Sequence, residues 1–191
     1  MRNNLKKILR KNYKEIQSNM LPGVGEGILK EVNKELGNLI SNGQLNGYLG
    51  LFWPLNNEVD LRDLKVKIKT PIALPASQKN GKLTYHPWTE TPLRKDLCGI
   101  PAPLDQPILT ADKLSLLIVP ALAIDQNGYR LGSGGGFFDR LRAKPAWRSI
   151  PSIVVLPKAC VSKDPLPIDS WDIPFNCWIN EDGNFRSVPK S

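Results

Sequence analysis

The 191-residue chain carries 26 lysines and arginines against 18 aspartates and glutamates, a net charge of +8, with 41% hydrophobic and 23% charged residues. These proportions exclude general disorder and suit one globular domain over residues 1–191, long enough to bury a core. No apolar run approaches the roughly 20 residues of a membrane span and the N-terminus lacks a secretory apolar core, so a cytoplasmic protein without membrane contact is expected.

Cys98, Cys160 and Cys177 are far apart and show no CxxC spacing, which points to single buried thiols rather than disulfides or zinc. The basic surplus suits an anionic partner without choosing between nucleic acid, nucleotide and acidic metabolite. Its spread along the whole chain weakens the case for a nucleic-acid-binding arm.

Leu5, Ile8, Leu9, Tyr13, Ile16 and Met20 recur at helical spacing and predict a first helix from about Asn4 to Asn19. Lys6, Lys7, Arg10, Lys11 and Lys14 crowd its other side. That side reads as a solvated basic face, or as one from which Lys6 and Arg10, at i and i+4, reach an anion together. Leu21-Pro22-Gly23 is expected to break the helix, with a second helix marked by Ile28, Val32, Leu36, Leu39 and Ile40.

Tyr48 to Trp53 predicts a buried strand stopped by Pro54, after which Asp60 is a candidate N-cap for a short helix. Glu58, at this strand-to-helix junction, is either a first-turn charge or a ligand-facing group. Ile72 to Pro75, Leu114 to Val119 and Ile153 to Leu156 follow as buried strands. His86, the single histidine, has no second ligand beside it and is left unassigned. Lys163 to Asp172 reads as an irregular loop with carboxylates, and Asp182-Gly183 closes a C-terminal hairpin. Strands alternating with helices predict an α/β three-layer sandwich, Rossmann-like, with a largely parallel central sheet flanked by helices.

The stretch Tyr129-Arg130-Leu131-Gly132-Ser133-Gly134-Gly135-Gly136-Phe137-Phe138-Asp139-Arg140 departs furthest from what folding requires. Four glycines within five positions carry an entropy cost that an ordinary loop avoids. Convergent backbone N–H groups, with a helix expected to start there, suit a phosphate. The Walker and Rossmann patterns both fail here, because no Gly-Lys-Ser/Thr follows and the third glycine position is Phe137 or Asp139. A plain tight turn with core phenylalanines remains open, and so does a nucleic-acid contact in which Phe137 or Phe138 stacks on bases.

Arg130 to Arg140 closely resembles the signature loop of the 5-formyltetrahydrofolate cyclo-ligase (methenyltetrahydrofolate synthetase) family, whose usual form is Arg-Leu-Gly-x-Gly-x-Gly-Tyr-Tyr-Asp. Lys6 to Arg10 is similar to that family's Lys-x-x-Leu-Arg, Glu58-Val59-Asp60 to its Glu-Val-Asp and Gly99 to Pro103 to its Gly-Ile-x-x-Pro. Asp172 falls where the family has an aspartate near the carboxyl end.

The resemblance implies an ATP- and magnesium-dependent ligase that closes 5-formyltetrahydrofolate, polyglutamylated or not, to 5,10-methenyltetrahydrofolate through a phosphorylated formyl group, releasing ADP and phosphate. It also implies a monomer. Lys6, Arg10 and the loop Arg130, Leu131, Gly132, Ser133, Gly134, Gly135, Gly136, Phe137 and Phe138 would bind ATP. Trp53, Glu58 and Phe137 would contact the folate, and Asp139 and Asp172 magnesium, with no covalent nucleophile. Two departures stand out: Phe137-Phe138 replaces Tyr-Tyr and so lacks two hydroxyls, and Trp171 stands where many members have histidine. A non-catalytic nucleic-acid-binding module using the basic helix and the Gly/Phe loop is the rival.

Overall fold

The computed structural model describes residues 2–187. In chain order the elements are α1 (Arg2–Ser41), β1 (Tyr48–Gly50), α2 (Leu64–Lys67), β2 (Ile72–Ser77), β3 (Leu83–Pro87), β4 (Arg94–Lys95), β5 (Pro101–Ala102), β6 (Leu114–Pro120), β7 (Ala123–Asp125) and β8 (Arg130–Leu131). They continue with α3 (Phe137–Arg142), α4 (Pro145–Arg148), β9 (Ser152–Val155), β10 (Val161–Ser162), β11 (Cys177–Asn180) and β12 (Gly183–Arg186).

Seven strands form the main sheet in the order β12-β11-β9-β6-β1-β2-β3. All pairings between β11 and β2 are parallel, and antiparallel β12 and β3 close the two edges. The expected α/β sandwich with a largely parallel sheet is therefore present. Strand β6 lies at the centre and is apolar apart from Ser115, because both its faces are covered. Leu116 and Ile118 pack with Ile28, Val32 and Leu36 of α1, whereas Leu117 and Val119 pack on the opposite side with Leu141 of α3. A smaller sheet, β10-β7-β8, presents the glycine loop. Its turn is organised by buried Asp125, whose carboxylate accepts hydrogen bonds from the N–H groups of Asn127, Tyr129 and Leu166.

The expected helix break at Pro22 is absent, and α1 runs through it. A proline inside a helix costs about 3 kcal/mol. Here both halves of α1 are anchored, the later one by fully buried Ile28 and Val32, the earlier one by Gln17. Gln17 donates from Nε2 to the Ala121 carbonyl at 2.6 Å and accepts from Asn57 Nδ2 at 3.0 Å. Ser18 and Pro22, four residues apart, border a cavity, which leaves room on the side of the helix where the proline ring sits.

Leu9, Tyr13 and Ile16 pack against the core as apolar spacing predicts, but the buried face is rotated away from Leu5 and Ile8. Leu5 and Ile8 are about half exposed, while Lys6 and Gln17 are buried. Polar partners elsewhere in the fold turned the helix. Asp60 is not an N-cap either: the short helix begins at Leu64, and the Asp60 carboxylate instead accepts from Arg62 through its backbone N–H and guanidinium. Cys160 is buried as expected, but Cys98 is exposed. His86 is buried, with Nδ1 donating to the Gln106 carbonyl at 2.8 Å, a structural role.

Candidate active site

The carboxyl ends of parallel strands leave a crevice where the chain departs into loops, and ligands collect there in open α/β sheets. In this fold Phe52 and Trp53 follow β1, Ser77 ends β2 and Pro120 ends β6, and all four line one cleft of about 360 Å³. The glycine loop lines it too, together with Lys6, Arg10, Glu58, Asp139, Asp169 and Asp172. Every residue named from the sequence as an ATP, folate or magnesium contact is thus a lining residue of a single cleft.

The loop's shape follows from its glycines and its arginines. Gly134 at φ +109 and Gly136 at φ +63 occupy backbone conformations that L side chains rarely adopt. A Cβ on Gly132 would lie 2.6 Å from the Arg130 guanidinium. Among the described residues, the N–H groups of residues 132–136 donate to neither a side chain nor a loop carbonyl. These amides, rather than the dipole of a helix only six residues long, are the loop's resource for an anion.

Three cations hold the surroundings. Arg10 Nε donates to the Gly132 carbonyl at 3.0 Å. Arg130 Nη2 pairs with Asp139 Oδ1 at 2.7 Å, while its buried Nε–H has no partner. Lys6 Nζ lies between two carboxylates, 2.7 Å from Asp169 Oδ2 and 3.0 Å from Asp172 Oδ2. Burial alone would lower the Lys6 pKa, but the bonds to Asp169 and Asp172 outweigh it and raise the ammonium above its ordinary value. Asp172 Oδ2 also accepts the Asp169 N–H at 2.8 Å, so loop and helix are tied at one point.

Glu58 Oε2 accepts the Leu55 N–H at 3.0 Å. Burial pushes the Glu58 carboxyl up, against the Leu55 hydrogen bond and the fields of Arg130 and Lys14. Trp53 is held edge-on against Trp88, ring centroids 6.0 Å apart, with the Arg62 guanidinium over its face at 5.0 Å. Phe137 and Phe138 are half-buried against the core, with the Arg140 and Arg130 guanidiniums over their respective rings, and both line the cleft.

Among the described residues, no group of three His, Cys, Asp or Glu side chains is arranged to hold a metal ion by itself. Magnesium does not require one, since it binds through one or two carboxylates and completes its shell with phosphate oxygens and water. Asp139 and Asp172 supply hard oxygen donors in the same cleft as the phosphate-suited loop, and they fit that ion when a polyphosphate accompanies it.

The sequence model of the 5-formyltetrahydrofolate cyclo-ligase family matches residues 2–180. The chain belongs to that family. It is 27% identical over 177 residues to 5-formyltetrahydrofolate cyclo-ligase of Haemophilus influenzae, a match covering 87% of this chain and 92% of that protein. To the enzyme of Escherichia coli K12 it is 34% identical over 111 residues, 57% of this chain, and the match spans only 60% of that relative's length. Among solved structures, Aquifex aeolicus 5,10-methenyltetrahydrofolate synthetase has a TM-score of 0.76 at 24% identity, over 98% of this chain and 95% of that one. The Mycoplasma pneumoniae synthetase has a TM-score of 0.69 at 17% identity, over 92% and 98% of the two chains. At these identities the structural likeness speaks for the fold.

Against the cyclo-ligase family pattern, sequence reasoning missed Asp169, which no motif marks and which only the fold brings to Lys6. It also missed Ser77, Asp96 and Cys98, whose part of the cleft comes from the β2–β3 edge and the following hairpin. Trp171 is 66% exposed and lines the cleft beside Asp172. Lys158 pairs with Asp182, Arg148 donates to the Arg142 and Ala143 carbonyls, and neither lines the cleft.

Proposed function

We propose that this chain, as one cytoplasmic and monomeric domain, closes 5-formyltetrahydrofolate, including its polyglutamylated forms, to 5,10-methenyltetrahydrofolate with ATP and magnesium, releasing ADP and phosphate. The observation that carries this reading is convergence: the family's signature loop, the Lys6–Arg10 pair and the Trp53–Glu58 segment line one cleft.

A formamide carbon is a poor electrophile because the nitrogen lone pair is delocalised onto oxygen. In the proposed reaction the formyl oxygen attacks the γ-phosphorus of ATP and ADP leaves. Nitrogen 10 then bonds to the activated carbon and loses its proton, and the carbon–oxygen bond breaks to release phosphate. Such chemistry needs positioning and charge neutralisation rather than a covalent nucleophile. The amides of residues 132–136, with Arg130, Arg10 and Lys6, hold the phosphates. Lys6 exchanges its carboxylate partners for phosphate oxygens. Asp139 and Asp172 would hold magnesium, which when bound would neutralise charge on those oxygens. Glu58 accepts hydrogen bonds from the pterin, and Trp53 and Phe137 pack against the folate.

The test is direct. Purified protein mixed with 5-formyltetrahydrofolate, ATP and magnesium should produce methenyltetrahydrofolate absorbance that requires ATP. A flat trace at high enzyme concentration, with ATP bound normally, would replace this reading with another ATP-dependent ligase or a folate-binding regulator.

A further inference from the structure

Arg142 lies three residues beyond Asp139 on α3 and does not line the cleft. It is 7% exposed, a buried charge. Among the described residues it makes no ion pair; Nη1 donates to the Ile173 carbonyl at 3.0 Å and Nη2 to the Pro174 carbonyl at 3.2 Å. The guanidinium carbon lies 3.8 Å from the centroid of the Phe175 ring, and Nε is buried without a partner. Burial, with Arg130 nearby, holds its pKa down to about 10, so it remains charged at neutral pH.

Packing alone does not call for this residue. A leucine or methionine would cover Phe175 without desolvating a charge. What an apolar side chain lacks is a planar fork that fixes two N–H groups on two successive carbonyls. Those carbonyls belong to the residues immediately after Asp172. Phe175 N–H in turn donates to the Gly128 carbonyl at 2.8 Å, at the β7–β8 turn. The Asp172 segment is thereby tied both to the helix that carries Asp139 and to the hairpin that leads into the glycine loop.

We infer that Arg142 is a positioning residue that holds Asp172 in register with Asp139, and so sets how well the cleft takes magnesium together with a nucleotide. This rests on the reading above for the two aspartates. It requires no direct contact between Arg142 and the nucleotide.

The experiment is calorimetric titration of wild type, Arg142→Gln and Arg142→Lys with ADP, once with magnesium and once with a chelator, alongside thermal melts. Wild type should prefer the magnesium complex. Both variants should lose about tenfold of that preference, the usual scale for groups that orient metal ligands, with metal-free ADP affinity changed less than about twofold. An unchanged preference, or parallel weakening of both forms, overturns the inference. So does full rescue by lysine, which has the charge without the fork. If Arg142→Gln does not fold, Arg142→Lys decides by the same comparison. No turnover is read, so a wild type that binds the magnesium complex but forms no methenyltetrahydrofolate would sink the proposed reaction and leave this comparison standing.

Discussion

Lys6 and Asp172, 166 residues apart, meet at 3.0 Å from Nζ to Oδ2. The contact brings the start of α1 to the loop before β11 and places an ammonium in the cleft with carboxylates on hand. Lys6→Met should weaken ATP binding about 10- to 100-fold, the scale of a lost charge-assisted contact. It should also lower stability by about 2 kcal/mol, because two partly buried carboxylates lose their cation. The raised Lys6 pKa sets the pH window: its stabilisation is complete below the ordinary value of 10.5 and fades as pH rises through the higher folded value. The melting difference between wild type and variant should therefore hold at pH 7 to 9 and shrink in stronger alkali.

Glu58 gives a prediction of opposite sign for stability. Its folded pKa lies above the ordinary 4.5, so stability is greatest below that value and falls as pH rises through the folded pKa. Glu58→Gln removes the penalty and should melt higher than wild type at pH 7, with the gap closing in acid. Folate affinity should fall at least about tenfold, since a neutral amide is a weaker acceptor than a carboxylate. Melting curves across pH and folate titrations check the two halves separately.

Gly134→Ala forces a side chain into φ +109. The strain, about 1 to 3 kcal/mol, should appear as weaker nucleotide binding. Gly37→Ala is the contrast, in the interior of α1 with nothing within 4 Å of the added carbon. It should raise stability by up to about 1 kcal/mol and leave turnover unchanged.

Arg140 clips the glycine loop to the turn between β2 and β3, with Nε donating to the Gly81 carbonyl at 2.9 Å and Nη2 to the Gly135 carbonyl. Arg140→Ala should raise the KM for ATP several-fold and shift stability by no more than about 0.5 kcal/mol, since the site is exposed. Steady-state kinetics with thermal melts check both.

The sheet was legible in the sequence because parallel strands buried on both faces read as continuous apolar runs, as Leu116 to Val119 does. The glycine loop was legible because four glycines beside arginines have no ordinary use in a core. The face of α1 was legible only in part: Leu9, Tyr13 and Ile16 pack as expected, whereas Leu5 and Ile8 do not. Its orientation depends on the Ala121 carbonyl, Asp169 and Asp172, all more than 100 residues away, and periodicity alone favours Leu5 and Ile8. The same holds for Arg142, whose partners are backbone carbonyls and leave no pattern in the sequence.

The central claim is that ATP activates the formyl oxygen, and an isotope can follow that atom. With oxygen-18 in the formyl group of 5-formyltetrahydrofolate, a single turnover with ATP and magnesium should yield phosphate carrying one labelled oxygen for each methenyltetrahydrofolate formed. Unlabelled phosphate, or phosphate release without methenyltetrahydrofolate, would contradict the account.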